Sequence, residues 1–528
     1  MTFELQNIIF NSNLTRRMLL DYKSKVKNTP KYKVQVFRNH SFELIEHTIP
    51  MYLDYAGMNV EFNYSGYDDS FSFLELDPLS DMIIVWVDTD RYKNRNAEEL
   101  LLDRIKQLKL KYLRPVLVMP LGMKFAFELV GVTIFNVDEI KDKYGIKLID
   151  ERTLKATGTR LSNSAMLLIS RILGLKYLPA LLKPLLKCIV LDLDNTLYKG
   201  VLGEDGIQGI KLTDGHKYLQ KRLKELSESG FFLTIASKNE ICDVKKLFYE
   251  RKDFILNFDD FAYVCASWEA KTDMIAKTAA FLNIGIDSLL FIDDNIGELS
   301  SVKMAFPNIH QILALDDAMI TAKVLNEYPG LFKLNISTED LKRKDDVKAN
   351  EIRKDLQHQM SKEEYIKSLE LKLDFCCNKR EHMQRVSELA NKTNQFIFNY
   401  KRYSLAEIER YLQEKEYAVV TISLSDKLSD SGLIGVCVGR LINGYVEIEE
   451  CFISCRALGR GIDDVIVLGA IKIILDNYNV DLVKVSFKRG ERNKPAEEFV
   501  TKYLQKYLEK PEVFKYIFPD NLINVSIN

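Results

Sequence analysis

Four polar clusters in this chain carry side chains able to handle a phosphate, and three of them directly follow apolar runs. Asp192 and Asp194 come after Cys188-Ile-Val-Leu191, with Thr196 beyond them. Ser237-Lys238-Asn239 follows Phe231-Phe-Leu-Thr-Ile-Ala236, and Asp293-Asp294-Asn295 follows Ser288-Leu-Leu-Phe-Ile292. Lys271 opens an intervening helical stretch. Two carboxylates beyond a strand end can hold a hard cation and attack or protonate a phosphate ester. A hydroxyl and the amides at a helix entry suit phosphate oxygens, and an ammonium neutralises their charge. Each cluster alone has a plainer reading as a turn or helix cap. Their common order, after buried strands, favours phosphate chemistry.

The elements that must position these groups follow from hydrophobic patterning. Apolar runs such as 188–191, 231–236 and 288–292 read as parallel strands buried on both faces. Helices near 214–229, 239–250 and 270–283 separate them. In an open α/β sheet, ligands bind outside the carboxyl ends of the strands, where these polar groups fall. An earlier α/β domain, 1–180, has strand signals at 33–37, 82–87 and 115–119 and a helix at 98–110. In that domain Asp88 and Asp90 end a strand, but no Gly-x-Ser-x-Gly elbow is present. Residues 163–186 read as a Leu-rich helical connection. The phosphate-handling domain spans 187–335, and a charged helical linker at 336–370 reads mostly as a solvated face. The third domain, 371–528, is mixed α+β, with strands at 417–424, 432–441, 445–454 and 482–487. Ile442-Asn-Gly-Tyr445 is a tight-hairpin signal. Helices at 461–477 and 495–509 complete the third domain.

The chain has 528 residues, 47 % hydrophobic and 28 % charged, enough for about three domains. A net charge of −1 gives no support for a nucleic-acid partner. The opening residues lack a signal-peptide pattern, and no apolar run approaches the ~20 residues that span a bilayer, so no membrane and a cytoplasmic location are expected. The eight cysteines lack zinc spacing and read as reduced thiols.

Asp192-x-Asp194-x-Thr196, then Ser237, Lys271 and Asp293-Asp294 resemble the haloacid dehalogenase (HAD) superfamily of phosphotransferases. Asp192-Leu-Asp-Asn-Thr-Leu-Tyr-Lys-Gly-Val-Leu-Gly-Glu-Asp-Gly206, Ala236-Ser-Lys-Asn-Glu240, Trp268-Glu-Ala-Lys271 and Phe291-Ile-Asp-Asp-Asn295 resemble its FkbH-like branch. So do Asn391-Lys-Thr-Asn-Gln-Phe396 and Ser454-Cys-Arg-Ala-Leu-Gly-Arg-Gly461. The first domain resembles a degenerate SGNH-hydrolase-like module. The resemblance implies Asp192 as nucleophile and Asp194 as general acid/base, with Ser237, Lys238, Asn239 and Lys271 binding the phosphoryl group. It implies Mg2+ held by Asp192, the carbonyl of Asp194 and Asp293, with Asp294 in support. It also implies dephosphorylation of 1,3-bisphosphoglycerate and loading of the glyceryl group as a thioester onto an acyl carrier protein.

Only about forty residues separate Thr196 from Ser237 and about thirty separate Asn239 from Lys271, too few for a large cap domain. Such an open site suits a phosphopantetheine arm. Cys455 is the candidate thiol, with Arg456 and Arg460 placed to lower its pKa, against a packing role; Cys265 is an alternative. Arg456-x-x-Gly459-x-Gly461 also resembles the pyrophosphate loop of GNAT acyltransferases, with Asn493 in the matching C-terminal region. That loop would hold coenzyme A or a pantetheine arm. Lys484, Lys488, Arg489, Arg492 and Lys494 read as a solvated face or as a surface for an acidic carrier protein. Tyr198-Lys199, Ile296 and Leu299 depart from the usual family residues, which puts substrate contacts in question. The first domain lacks a Gly-Asp-Ser start and an Asp-x-x-His pair, so no esterase activity is expected from it. Two other readings stand beside the leading one: a HAD phosphatase fused to a GNAT acyltransferase modifying a sugar or polyketide intermediate, and a non-catalytic scaffold.

Overall fold

A computed structural model describes residues 2–11, 13–25, 31–92, 96–334, 346, 349–350, 352–353, 355–357, 359–490, 493–519 and 523–528. The chain divides into two compact units, Met1–Leu185 with Ile320–Leu334, and Leu186–Met319 with Asn335–Asn528.

The first unit is built on five parallel strands, β1 (Lys31–Arg38), β2 (Asn59–Tyr64), β3 (Met82–Asp88), β4 (Val116–Leu121) and β5 (Val132–Ile134), in the order β2-β1-β3-β4-β5. Alternating side chains feed two cores. Val34, Ile84, Trp86 and Leu117 enter one, and Phe37, Ile83, Val85 and Val118 enter the other. Burial on both faces explains the continuous apolar runs. β2 and β5 are less regularly apolar, and neither stands out in the sequence. The Leu-rich connection is a continuous helical stretch, Asn163–Leu182, with a π turn at Leu173–Tyr177. Its 20 residues and mean hydropathy of 1.6 meet the length and composition of a bilayer span, against the sequence expectation. Ala165, Met166, Ile169, Leu173 and Leu178 nevertheless bury in the core of this unit, as those of a core helix do.

The second unit holds two sheets. In the first, β6 (Cys188–Leu191), β7 (Phe232–Ser237), β8 (Tyr263–Ala266), β9 (Leu289–Asp293) and β10 (His310–Leu313) are all parallel, in the order β10-β9-β6-β7-β8. The connection from β8 crosses back to the far side of β6, so the topological switch lies between β6 and β9. A ligand crevice is expected outside their carboxyl ends.

The second sheet is mixed. Its strands are β11 (Lys372–Cys377), β12 (Phe396–Ile397), β13 (Tyr417–Ser425), β14 (Asp430–Ile442), β15 (Tyr445–Ile453), β16 (Leu482–Val485), β17 (Glu512–Val513) and β18 (Asn524–Ile527). Their order is β17-β16-β15-β14-β13-β11-β18, with β12 paired to β15. Asn443 and Gly444 both have positive φ, 45° and 88°, as the tight turn joining β14 to β15 requires. Helix Asp463–Tyr478 packs its apolar side on one face of the sheet, and helices Met383–Lys392 and Leu405–Gln413 cover the other. The helix expected at 495–509 changes pitch, from Lys494–Phe499 through a π turn to a short 3-10 turn.

Much of the charged stretch 336–370 lies outside the described residues. Within the described part, most side chains are exposed, as expected of a solvated face, but a few are not. Asp346 and Arg353 are buried, joined to Asp426 and Arg460 in a four-residue ion cluster with contacts of 2.8–3.1 Å. Helix Lys362–Leu369, capped reciprocally by Ser361 and Glu364, sends Tyr365, Ile366 and Leu369 into the mixed-sheet core.

Candidate active site

The acidic residues meet because β6 and β9 are neighbours in parallel register, with Leu191 beside Ile292. Both strands then end on carboxylates. Asp192 and Asp293 are buried, Asp294 is exposed, and one oxygen from each lies within 4.8 Å of the others. Three oxygen donors at this separation fit a divalent cation that prefers oxygen ligands. The Asp194 carboxylate is engaged elsewhere. Its Oδ1 accepts from Tyr198 Oη at 2.6 Å and from the Leu202 amide at 3.0 Å. Its Oδ2 accepts from Asn239 Nδ2 at 2.9 Å.

Lys271 enters from the first turn of helix Lys271–Leu282. Its Nζ lies 2.5 Å from Asp192 Oδ1, 3.1 Å from Asp293 Oδ2 and 2.7 Å from the Ala236 carbonyl. Burial works against the ammonium, but Asp192 and Asp293 raise its pKa above the ordinary value. Burial pushes Asp192 up despite Lys271, and burial with the Asp192 charge pushes Asp293 up to about 7. Asp294 is raised for the same two reasons. Carboxylates that resist ionising together gain most from a cation among them.

Ser237 ends β7, and its Oγ accepts from Asn239 Nδ2 at 3.1 Å, so Asn239 bridges Ser237 and Asp194. Lys238 does not join this group. It is exposed, and its Nζ pairs with Glu298 at 2.5 Å. Tyr198 is a site residue the sequence did not single out as positioning Asp194. Burial pushes its phenol well above the usual range, keeping it a proton donor to that carboxylate. Its position four residues after Asp194 was the available signal.

The residues assigned to a thiol and a pantetheine loop lie elsewhere. Cys455 follows β15, and its carbonyl accepts from Asn283 Nδ2 at 3.0 Å. Asn283 caps the far end of the helix that Lys271 begins, and 12 residues place the two ends about 18 Å apart. Cys455 also lines a cavity with Lys187, Phe232 and Ser288, which precede or begin the central strands of the parallel sheet. The thiol and Asp192 therefore sit at opposite ends of that sheet. Cys265 is buried in β8, where burial pushes its thiol up, the opposite of activation.

Gly459 and Gly461 have positive φ, 85° and 73°, in the turn before helix Asp463–Tyr478. That helix begins with Asp463 and Asp464, which oppose a second anion at its N-terminus. Arg460 is buried against Asp346, Asp426 and Ser431. Its guanidinium is thus turned into the domain, not toward a pantetheine arm or Cys455. Asn493 is also inward. Its Nδ2 donates to Ile397 and Lys488 carbonyls and its Oδ1 accepts from the Gly490 amide, closing a loop. Arg456 is buried, with a long contact to the Leu433 carbonyl at 3.4 Å. Among the basic residues nearby, Lys484 pairs with Glu447 and Arg489 with Glu497, while Arg492 lies outside the described residues.

The acidic residues thus gather at the switch point of the parallel sheet, and the strand-turn-helix segment belongs to the mixed sheet. No protein-family model matches the chain, and no curated protein matches it. Among solved structures it is similar to the N-terminal part of the protein BF1531 from Bacteroides fragilis, which contains a phosphatase domain complexed with Mg. That likeness has 22% identity and a TM-score of 0.46, and covers 61% of this chain and 98% of that one. A spermidine N-acetyltransferase SpeG mutant from Vibrio cholerae is 16% identical, with a TM-score of 0.20, over 25% of this chain and 77% of that one. A 3-deoxy-D-manno-octulosonate 8-phosphate phosphatase from Moraxella catarrhalis is 15% identical, with a TM-score of 0.19, over 26% of this chain and 85% of that one.

Proposed function

We propose that the protein is a magnesium-dependent HAD-type phosphoryl-transfer enzyme of the FkbH-like branch. Its first domain is a non-catalytic SGNH-like module. The observation that carries the reading is the convergence of Asp192, Asp194, Ser237, Asn239, Lys271, Asp293 and Asp294 at the ends of β6, β7 and β9. An Asp192 oxygen attacks phosphorus, the bond from phosphorus to the leaving oxygen breaks, and Asp194 supplies that oxygen's proton. Water then attacks the aspartyl phosphate while Asp194 takes a proton from it, which restores both carboxyl groups. Lys271 and Ser237 bind the phosphoryl oxygens. Magnesium, when bound, neutralises the charge that gathers on those oxygens.

Within this reading the substrate is 1,3-bisphosphoglycerate and the acceptor of the glyceryl group is an acyl carrier protein. The substrate carries two chemically different phosphates. Removal of the ester phosphate at Asp192 leaves the acyl phosphate intact. A thiolate then attacks the acyl carbon, forms the thioester and expels phosphate. The absence of a large inserted domain supports a bulky partner: two helices, the longer of 15 residues, lie between Thr196 and β7, and one helix, a 3-10 turn and a strand lie between Asn239 and Lys271.

Intact-mass measurement of both proteins after incubation with 1,3-bisphosphoglycerate, Mg2+ and a carrier protein tests this. The expected result is a glyceryl adduct on the carrier. Phosphate release from simple esters, abolished by Asp192→Asn but without any adduct, favours a phosphatase joined to an acyltransferase domain with another substrate. Neither product in the presence of metal favours a scaffold.

A further inference from the structure

We propose that Trp268 is a specificity-determining residue of the candidate active site. Its indole face receives the organic part of a phosphate ester whose phosphoryl group lies among Asp192, Ser237 and Lys271. The inference rests on the phosphoryl-transfer reading of that site, but not on which ester is the natural substrate.

Strand register places the residue. Ser237 at the end of β7 pairs with Ala266 at the end of β8, and Trp268 comes two residues later. Neighbouring strands lie about 4.8 Å apart and two extended residues add about 7 Å, so the Cα atoms of Ser237 and Trp268 are at most roughly 12 Å apart. The loop is tied to the site on both sides of Trp268. The Ser267 amide donates to the Ser237 carbonyl at 3.2 Å, and Lys271 Nζ reaches the Ala236 carbonyl at 2.7 Å. Trp268 Nε1 itself donates to Glu240 Oε1 at 2.7 Å. Glu240 directly follows Asn239, whose Nδ2 lies 3.1 Å from Ser237 Oγ. The Trp268 ring is 72% exposed, although an indole has among the largest apolar surfaces to bury. The bond to Glu240 holds it by its edge, whereas stacking on a ring or on C–H groups uses its face. Asp192, Ser237 and Lys271 are buried at the floor of the site, so an ester gripped there directs its organic part outward, to the loops that carry Trp268. A ring or hydrocarbon face then gains a contact that a small leaving group does not.

Benzyl phosphate and ethyl phosphate test this, because their leaving alcohols are similar in acidity and differ by a ring. Phosphate release by the full chain is measured with Mg2+ present. Trp268→Ala should lower kcat/KM for benzyl phosphate roughly three- to tenfold and leave that for ethyl phosphate within about twofold. Trp268→Phe should restore most of the loss, since a phenyl ring stacks without an indole N–H. Equal losses on the two esters would overturn the proposal, because a purely structural role has no preference for a ring. A second readout needs no turnover. The chain has two tryptophans, and Trp86 is fully buried, so acrylamide quenches the emission of Trp268 selectively. In Asp192→Asn with Mg2+, benzyl phosphate should protect Trp268 from quenching at concentrations where inorganic phosphate does not. Quenching that benzyl phosphate leaves unchanged would overturn the proposal even where neither ester is hydrolysed. Turnover of both esters that persists in Asp192→Asn would instead sink the phosphoryl-transfer reading, and with it the site that Trp268 serves.

Discussion

Arg460→Ala separates a structural arginine from a ligand-binding one. The Arg460 side chain is 3% exposed, and its three bonds go to Asp426 at 3.0 Å, Asp346 at 3.0 Å and Ser431 at 2.7 Å. Substitution leaves Arg353 as the single cation between two buried carboxylates. Two lost charge-assisted bonds, at about 1.5–3 kcal/mol each, agree with the roughly 3–5 kcal/mol cost of removing one partner from a buried ion pair. The cost falls on the mixed-sheet domain, because Asp426 and Ser431 flank the turn into β14 and Arg460 lies just before helix Asp463–Tyr478. Hydrogen exchange of peptides covering 417–460, without any ligand, reads it directly. Amides that open only with the domain should exchange faster by roughly two to four orders of magnitude. Arg460→Lys should fall between, since an ammonium lacks the fork that reaches both carboxylates. Unchanged protection in Arg460→Ala would refute the reasoning and return Arg460 to the candidates for holding a pantetheine phosphate.

Two further outcomes follow from the same geometry. Lys271→Met leaves Asp192 and Asp293 buried without their shared cation, so phosphoryl transfer should fall by roughly 10²–10³-fold and the metal-free protein should lose about 3–5 kcal/mol. Mg2+ should then raise its Tm more than that of the parent chain; equal shifts in calorimetry would count against a cation site at these residues. Acid titration tests the ion cluster: burial pushes Asp346 up, but Arg460, Ser429, Arg353 and Ser431 hold its pKa below the ordinary value. A lowered folded pKa contributes stability that is present above the unfolded value of about 3.9 and is lost as pH falls through the folded one. Exchange protection across 417–460 should therefore hold at neutral pH and weaken below about pH 4, and in Arg460→Ala the weakening should begin at higher pH.

The groups Asp192, Ser237, Asp293 and Asp294 were legible because each sits where a buried parallel strand ends and an apolar run marks that place, whereas Lys271 opens a helix. β6, β7 and β9 stand out for this reason, whereas the partly exposed β8 and β10 do not. Roles that depend on where a side chain turns were not legible. Lys238 and Asn239 are neighbours, yet one pairs outward with Glu298 and the other bridges Ser237 and Asp194. Arg460 and Asn493 match a ligand-binding pattern by type and spacing. Their partners Asp346 and the Ile397 carbonyl are distant in sequence, so only the folded chain shows them turned inward. Asp346 itself sits in a charged stretch whose composition reads as solvated, and three long-range contacts bury it.

The separation of Asp192 from Cys455 constrains any chemistry that uses both. Lys187 to Asp192 is five residues of extended chain, about 16 Å, and no side-chain rotation spans that distance. A group released at the carboxyl ends of the strands reaches the thiol only by diffusing or on a tether. This suits a substrate with two unlike phosphates. Had Asp192 taken the acyl phosphate, the product would be an unactivated carboxylate, and no thiol at the other end could form a thioester from it. Taking the ester phosphate first instead yields an acid derivative that is still activated and carries a single phosphate. The distance rules out a direct handover between the two side chains, so under the proposed reading the activated acid must travel from Asp192 to whichever thiol captures it.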